Sequence, residues 1–378
     1  MKGNMRFCVP CLFGVEGLVA QELRDMGLEQ VQAENGRVLF SGGWEAMVRA
    51  NLCGRFGERV LLLLGEFPAR SFEELFQGVK ALPWEGLLGK EDAFPVTGSS
   101  LSSQLHSVPD CQAIIKKAIV ERLKAKYKLS WFAESGALHR VRFRILKDQV
   151  SVLVDTSGEG LHKRGYRALS NDAPMKETLA ASLCQLSRLR QDGHLIDPFC
   201  GSGTILIEGA LLARNIAPGL GRAFTAESWG SVPGQLWQQE RERARSLERR
   251  DTAFTAQGFD VDPAAVELTL ANAQKAGVED CITASVRDVR DFTQEGPYGC
   301  VVCNPPYGER LLDVRQAQEL YRALGQVFQP RRGWSLGVIS PDPEFESLFG
   351  RKADKRRKLY NGMIQCQYYQ YFRGSDKR

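Results

Sequence analysis

Four consecutive residues, Asn304-Pro305-Pro306-Tyr307, combine groups that could bind a planar molecule carrying an amino group. They follow the apolar run at residues 300–303, which predicts a short buried strand. Neither proline has an N–H group, and each favours extended geometry in the residue before it, so carbonyl oxygens remain free to accept hydrogen bonds. These acceptors, the Asn304 amide and the Tyr307 ring suit the exocyclic amine of a nucleobase. The structural alternative is a Pro-Pro loop with a packed tyrosine.

A second segment that could bind a ligand is LIDPFCGSGT, at residues 195–204. The pattern predicts a strand that ends at Asp197, a tight glycine turn and then a helix over residues 205–214. Ligands of doubly wound sheets bind at the carboxyl ends of the strands. Gly201 and Gly203 would let a ligand approach the backbone closely, and N–H groups at the start of the helix could bind a carboxylate. The segment therefore predicts a ligand site.

A nicotinamide or flavin dinucleotide is the alternative ligand for such a turn. Its fingerprint requires G-x-G-x-x-G, but Leu206 occupies the position of the third glycine. The fingerprint also expects an acidic residue about 20 positions further on. Here the candidate, Asp260, lies 57 positions beyond Gly203. The sequence therefore argues against a dinucleotide site.

Residues 197–204 resemble motif I of class I S-adenosylmethionine-dependent methyltransferases, and the Asn-Pro-Pro-Tyr segment two strands later strengthens the resemblance. Residues 173–181 resemble motif X, which lines the methionine end of the cofactor. The resemblance implies S-adenosylmethionine as cofactor, with Asp260 at the ribose hydroxyls and Asp288 at the adenine amine. Asp262 is expected to cap the next helix. The cofactor-binding candidates are Lys176, Glu177, Thr178, Asp197, Phe199, Gly201, Gly203, Thr204, Asp260, Asp288 and Asn304.

Basic side chains in the first half of the chain suggest a polyanionic partner. The predicted helix over residues 110–126 has one apolar and one basic face, and the predicted strand over residues 140–146 alternates arginines with apolar residues. Surface lysines and arginines are often only solvated, but two basic faces in one small unit favour contact with nucleic acid. Residues 158–167, glycine-rich and basic, add a possible contact with the RNA backbone. The RNA-binding candidates are Lys116, Lys117, Arg140, Arg142, Arg144, Lys163 and Arg164.

Residues 102–112, with the helical continuation at residues 116–123, resemble the start of the helix in THUMP domains, the RNA-binding modules of tRNA- and rRNA-modifying enzymes. In that family a ferredoxin-like subdomain precedes the THUMP unit, and the module holds structured RNA. The resemblance implies an α/β protein in which an N-terminal α+β ferredoxin-like/THUMP module precedes a doubly wound, Rossmann-like class I methyltransferase domain. The expected segments are a ferredoxin-like subdomain at 1–65, a THUMP domain at 66–157, a linker at 158–170 and a methyltransferase domain at 171–378.

Composition sets wider limits on function. The chain has 378 residues, enough for two or three domains, and a net charge of +5, which is compatible with a polyanionic partner. It contains no apolar run long enough to span a membrane. Ten cysteines without a secretory signal predict reduced thiols in the cytoplasm. Two pairs have CxxC spacing, Cys8/Cys11 and Cys300/Cys303, but the four histidines lie apart from both, so no metal is expected.

The continuation of the clamp as Gly308-Glu309-Arg310 is typical of THUMP-bearing RNA guanine N2-methyltransferases. The implied reaction is methyl transfer from S-adenosylmethionine to the N2 amine of a guanine, closest to the 23S rRNA enzymes (RlmL-like). Asn304, Pro305, Pro306 and Tyr307 would form the catalytic clamp. Guanine in tRNA is the first alternative. A DNA amine methyltransferase, a protein-glutamine methyltransferase and a catalytically silent RNA-binding protein remain as further hypotheses.

Overall fold

The computed structural model describes residues 4–167, 175–308, 314–328 and 332–372. The chain forms two compact units, the first containing residues 1–11, 19–161 and 223–243, and the second residues 12–18, 162–222 and 244–378. Each is built around one seven-stranded sheet. Part of the predicted linker, the beginning of the predicted motif X segment, and Glu309 and Arg310 lie outside the described residues.

The sheet of the first unit has the strand order β2-β3-β1-β4-β7-β6-β5. Its main elements are β1 (Met5–Pro10), α1 (Glu16–Asp25), β2 (Glu29–Glu34), β3 (Arg37–Gly42), α2 (Trp44–Cys53), β4 (Leu61–Pro68), α3 (Phe72–Ala81), β5 (Val96–Leu101), α4 (Val108–Tyr127), β6 (Val141–Leu146) and β7 (Gln149–Asp155).

Strand β4 makes this sheet continuous. It pairs antiparallel with β1 on one side and with β7 on the other, where Leu61 lies opposite Asp155 and Pro68 opposite Gln149. The predicted ferredoxin-like and THUMP segments therefore share one hydrogen-bonded sheet. Residue 65, the predicted end of the first segment, lies within β4.

The predicted apolar faces of the THUMP-like segment are confirmed. Alternate residues of β6, Val141, Phe143 and Ile145, are buried, as the period of two requires. The buried side of α4 repeats with helical spacing, and Ile114, predicted to be on that side, is half-buried. The buried residues of α4 are Cys111, Ile115, Ala118, Ile119 and Leu123.

The glycine- and proline-rich composition of residues 217–233 predicts a surface excursion, and this prediction is wrong. Phe224 and Trp229 are both buried. The Trp229 ring stacks on His139 with centroids 4.3 Å apart, and its indole N–H donates to the carbonyl of Leu138 at 3.0 Å. The charged sequence that follows predicts a helix over residues 238–250, whereas α7 covers Gly234–Ser246. Large aromatic side chains bury enough area to hold residues 223–233 within the first unit.

The sheet of the second unit has the order β10-β9-β8-β11-β12-β14-β13, and β13 and β14 are antiparallel to the strand that each joins. This confirms the predicted doubly wound α/β class. Its main elements are α5 (Glu177–Leu186), β8 (His194–Asp197), α6 (Thr204–Ala213), β9 (Thr255–Asp260), α8 (Pro263–Ala276), β10 (Ile282–Val286), β11 (Gly299–Cys303), α9 (Val314–Val327), β12 (Trp334–Ser340), α10 (Phe345–Phe349), β13 (Lys355–Asn361) and β14 (Ile364–Tyr371).

Three further observations concern membrane spans, metal sites and cysteines. Among the helices in the described part of the chain, none is both long and apolar enough to cross a membrane. Within residues 4–167, 175–308, 314–328 and 332–372, no cluster of three or more histidine, cysteine or acidic side chains could hold a metal ion. All ten cysteines are free thiols.

Candidate cofactor and acceptor site

Three parallel strands bring the predicted site residues to one edge of the second sheet. β8 ends at Asp197 and β9 at Asp260, while Asn304 directly follows β11. β8 pairs with both of the other strands, with Ile196 opposite Gln257 and Val301. Because the strands are parallel, their carboxyl ends meet at the same edge. The apolar runs that predicted β8 and β11 therefore also determine where Asp197 and Asn304 lie.

The glycine turn after β8 adopts the geometry that its sequence predicts. Gly201 and Gly203 have φ angles of 53° and 78°, in the left-handed region. The N–H of Gly203 donates to the carbonyl of Cys200 at 2.8 Å, which closes the turn, and α6 begins at Thr204. Glycine is required here because other residues adopt such φ angles only at a cost.

Replacement of Gly203 by alanine is expected to lower the free energy of unfolding by about 1–3 kcal/mol, because left-handed strain and steric overlap act together. The added Cβ would lie 2.8 Å from Cγ2 of Thr269 on α8. The matched control is Gly277→Ala, which has a similar φ of 67° but no atom within 4 Å of the new Cβ. Urea unfolding would measure both variants. Equal losses in the two would show that contact with Thr269 contributes nothing.

The carboxyl group of Asp197 lies in an unusual environment. Burial is the main reason that its pKa is raised to about 8. The N–H of Phe199, which donates to Oδ1 at 3.0 Å, favours the ionised form, and the nearby Asp260 carboxylate opposes it. A positively charged ligand would stabilise the ionised form. The residue therefore suits the cationic end of S-adenosylmethionine.

Asp260 is held rigidly at the end of β9. Its Oδ2 accepts the N–H of Gly201 at 3.0 Å, and its Oδ1 accepts the N–H of Asp262 at 3.0 Å. Each carboxylate oxygen can accept more than one hydrogen bond, so both remain available to a ligand such as a ribose diol. Asp262 caps α8 by accepting the N–H of Ala264 at 2.9 Å, which confirms the capping prediction.

Asp288 also has local partners. Oδ1 accepts the N–H of Arg290 at 2.8 Å, and Oδ2 accepts the guanidinium of the same residue at 2.8 Å. Asp288 therefore begins a short 3-10 turn, Val289–Asp291. Its proposed contact with the adenine amine stays a prediction.

The beginning of α5 contains a buried carboxylate, Glu177, that can accept a further hydrogen bond. Oε1 of Glu177 lies 3.2 Å from Arg167, which also donates to Oγ1 of Thr204 at 3.1 Å. Oε2 is buried and accepts no hydrogen bond from the described residues. Burial raises the pKa of Glu177, with Arg167 opposing that shift. Buried polar atoms rarely stay unpaired, so a ligand donor or cation fits here. Of the adjacent candidates, Thr178 is buried and Lys176 half-buried.

The Asn-Pro-Pro-Tyr clamp is fixed by residues that sequence reasoning missed. The Tyr307 hydroxyl donates to Oδ1 of Asn304 and accepts from Nδ2 of Asn361 at 3.2 Å. The Tyr321 hydroxyl donates to the Pro306 carbonyl at 3.1 Å. In the part of the chain that the structure describes, no hydrogen bond ends on the Pro305 carbonyl. The Pro305 carbonyl, and Asn304 Oδ1 through its second lone pair, are acceptors that an amine could use.

Nothing in the sequence marks Tyr321 and Asn361 as members of this site. They lie in α9 and at the end of β13, at 14 and 54 positions from Tyr307. Only the folded sheet brings them to the clamp, and no motif spacing could have found them.

The RNA-binding candidates fall into three groups. Arg164 was wrongly predicted to reach RNA: its guanidinium is buried and lies 3.3 Å from Oε2 of the equally buried Glu208, which needs a cation. Lys116 is half-buried beside Glu134, and Arg142 pairs with the buried Asp155 at 3.1 Å. The remaining candidates have exposed side chains: Lys117, Arg140, Arg144 and Lys163.

Comparison with known protein families agrees with this architecture. Residues 164–370 match a family described as the RMKL-like methyltransferase domain. Residues 6–61 match the RlmL ferredoxin-like domain, and residues 69–155 match the THUMP domain.

Two curated relatives have names that refer to RNA. The chain is 44% identical to YpsC of Bacillus subtilis strain 168, named as a candidate RNA methyltransferase, over 95% of this chain and 94% of that protein. It is 35% identical to the ribosomal RNA large subunit methyltransferase K/L of Psychromonas ingrahamii, over 99% of this chain. The chain spans about half of the K/L protein, 51% of its length.

Solved structures are similar over nearly the full length. SMU.472, a candidate methyltransferase crystallised with S-adenosylhomocysteine, is 42% identical, with a TM-score of 0.94 and 100% of each chain covered. A protein of Listeria monocytogenes strain 4b F2365, described as a predicted N6-adenine-specific DNA methylase, is 44% identical, with a TM-score of 0.94 and coverage of 98% of this chain and 97% of that one. The chain belongs to the RMKL-like methyltransferases that carry RlmL ferredoxin-like and THUMP domains, and its cofactor is S-adenosylmethionine.

Proposed function

We propose that this protein transfers a methyl group from S-adenosylmethionine to the exocyclic N2 of a guanine in large-subunit ribosomal RNA. The observation that carries the proposal is the clamp after β11. Two acceptors, Asn304 Oδ1 and the Pro305 carbonyl, lie beside an aromatic ring at the strand edge that also carries Asp197 and Asp260. This set of groups suits an amine on a flat base.

The clamp would act mainly by positioning. An exocyclic amine is a weak nucleophile because its lone pair is delocalised into the ring. Hydrogen bonds from its two N–H groups to Asn304 Oδ1 and the Pro305 carbonyl would favour a more tetrahedral nitrogen with its lone pair available. Tyr307 would stack on the base and align it. When bound, the cofactor supplies the electrophilic methyl group. The surplus proton leaves to solvent, so no strong base is required.

A base within an RNA helix would first have to leave the stack. That step costs a few kcal/mol, which stacking on the Tyr307 ring partly offsets. The first unit provides RNA contacts through exposed basic residues, among them Lys117, Arg140 and Arg144. The THUMP match supports RNA as the acceptor because a DNA amine or protein-glutamine methyltransferase would leave that module without a role.

Joint replacement of Lys117, Arg140 and Arg144 by alanine is expected to weaken RNA binding and to reduce the slope of log affinity against log salt by about 2–3, because each phosphate contact releases close to one counterion. Affinity for S-adenosylmethionine should stay within about twofold, because these residues lie outside the second unit.

Fluorescence anisotropy with ribosomal RNA fragments at several salt concentrations would measure the RNA effect. A control variant that removes the same charge from other exposed positions of the first unit, Arg24, Arg70 and Lys90, should behave nearly as wild type. If both triple variants reduce the slope of log affinity against log salt by the same amount, the three proposed residues form no specific contact surface.

The substrate assay uses purified protein and radiolabelled S-adenosylmethionine, with ribosomal RNA, tRNA and duplex DNA offered separately, followed by nucleoside analysis. Labelled N2-methylguanosine in large-subunit RNA is the expected result. The same nucleoside in tRNA would keep the reaction and change the substrate. Label in DNA adenine, which the name of the Listeria relative suggests for that protein, would overturn the proposal. An enzyme of ribosomal RNA with free thiols would work in the cytoplasm.

A further inference from the structure

We propose that Asn361, at the turn of the β13–β14 hairpin, is a positioning residue that directs the Tyr307 hydroxyl proton onto Asn304 and thereby fixes which end of the Asn304 amide faces the substrate. The inference deepens the proposed function and rests on it, since it takes the clamp to bind an amine. Nothing in the family motifs of the chain includes Asn361.

The direction of the hydrogen bonds follows from the groups involved. The NH2 group of Asn361 can only donate, and it lies 3.2 Å from the Tyr307 hydroxyl oxygen. The Cys366 sulfur lies 3.8 Å from the same oxygen and 3.7 Å from the Ile364 carbonyl, and its single proton can go to either. Because Asn361 donates to the Tyr307 hydroxyl, the hydroxyl has its own single proton left for Oδ1 of Asn304. The chain of hydrogen bonds therefore runs from the hairpin through Tyr307 to Asn304.

The geometry of the hairpin fixes the position of the Asn361 side chain. Asn361 pairs with Ile364, and Leu359 pairs with Cys366, so a two-residue turn separates the strands. Gly362, at the first turn position, has a φ of 62°, as a type II′ turn requires. The Tyr307 hydroxyl remains protonated, and so remains a donor, because burial raises its pKa well above the usual value.

An asparagine side chain needs such a constraint because its oxygen and NH2 group are nearly equal in shape. Only hydrogen-bond partners decide which of the two points in a given direction. If the Asn304 amide turned over, its NH2 group would face the substrate amine, and two donors would oppose each other. A proton donated by Tyr307 stabilises the productive orientation, in which Oδ1 retains a lone pair for the substrate.

Three variants separate this role from a merely structural one. Asn361→Asp has the same shape, but its carboxylate can only accept, so it would draw the Tyr307 proton away from Asn304. We expect kcat to fall about 10- to 100-fold, with KM for the acceptor and cofactor affinity changed less than about threefold. Asn361→Ala removes the directing donor but adds no competing acceptor, so kcat should fall about 3- to 10-fold, less than in Asn361→Asp. The matched control, Gln365→Glu, makes the same amide-to-acid change at an exposed position of the same hairpin and should behave as wild type.

Tyr307→Phe completes the test because it keeps the ring and removes the hydroxyl. In that background Asn361→Asp should reduce kcat by less than about twofold further, since the proton that it redirects is gone. The inference is overturned if the loss of kcat in Asn361→Asp is no larger than the losses in Asn361→Ala and Gln365→Glu. It is also overturned if the loss caused by Asn361→Asp is undiminished in the Tyr307→Phe background. All ratios use whichever acceptor the wild type methylates, so an error in the proposed RNA substrate shows in the wild-type assay and leaves these ratios unaffected.

Discussion

Replacement of Asn304 by alanine is expected to reduce kcat for methyl transfer about 100- to 1,000-fold, the usual loss when one preorganised hydrogen-bonding group of a catalytic site is removed. Cofactor affinity should change by less than about threefold, because the residues at the other strand ends, Asp197 and Asp260, keep their partners. Single-turnover assays would measure transfer, and calorimetric titration with S-adenosylmethionine would measure binding.

The effect of Asn304→Ala must be separated from a general loss of structure. Asn215→Ala removes an exposed asparagine hydrogen bond in the same unit, to the carbonyl of Leu247 at 3.0 Å, and should leave transfer unchanged. A large loss of cofactor affinity in Asn304→Ala would contradict the acceptor role assigned to the clamp and would favour the other role for which Asn304 is a candidate, cofactor binding.

The second large expected effect is a dependence of cofactor affinity on pH. Because the buried Asp197 has a pKa of about 8 in the folded, ligand-free protein, it holds a proton at neutral pH. Binding of a cationic cofactor favours the ionised form, so binding releases that proton. Cofactor affinity should therefore rise by up to about tenfold per pH unit between about pH 6 and 8 and level off above. Asp197→Asn should show weaker binding without this rise. Calorimetry in buffers of different ionisation enthalpy would count the proton released.

The same carboxyl group affects stability with a definite sign. The unfolded chain gives up this proton near a pKa of about 3.9, whereas the folded protein keeps it up to about pH 8. The unfolded state therefore binds fewer protons in that window, and the free energy of unfolding without cofactor should fall as pH rises towards 8. Asp197→Asn should show a flatter curve in urea unfolding from pH 5 to 8.5. Parallel curves for the two proteins would mean that Asp197 ionises normally.

Much of this site is predictable from the sequence because its principal residues follow short apolar strands. Asp197 ends such a run and Asn304 follows another, while Asp260 ends β9, and in a parallel sheet these positions bring all three to one edge. Turn chemistry also predicted the left-handed glycines and the cap at Asp262. These predictions depend only on local sequence, and the structure agrees with them.

What could not be predicted depends on contacts between distant parts of the chain. Arginine is usually a surface residue, and Arg164 lies in a glycine-rich, basic stretch. Its side chain is nevertheless buried, because it pairs with the buried Glu208, 44 positions away. Tyr321 and Asn361 serve the clamp only because α9 and β13 pack beside it. The insert at residues 217–233 looked like a solvent loop, since nothing local shows that Trp229 finds His139 as a partner.

The placement of residues 223–243 has a consequence for how the protein is made. During synthesis residues 1–11 and 19–161 of the first unit emerge early, but this unit also needs Trp229 against His139 and Glu240 paired with Arg49 at 2.7 Å. The N-terminal unit therefore cannot finish folding until the ribosome has passed residue 243, well into the portion that encodes the catalytic sheet. Part of the second unit, including β8 and α6, is therefore synthesised before the first unit can be completed.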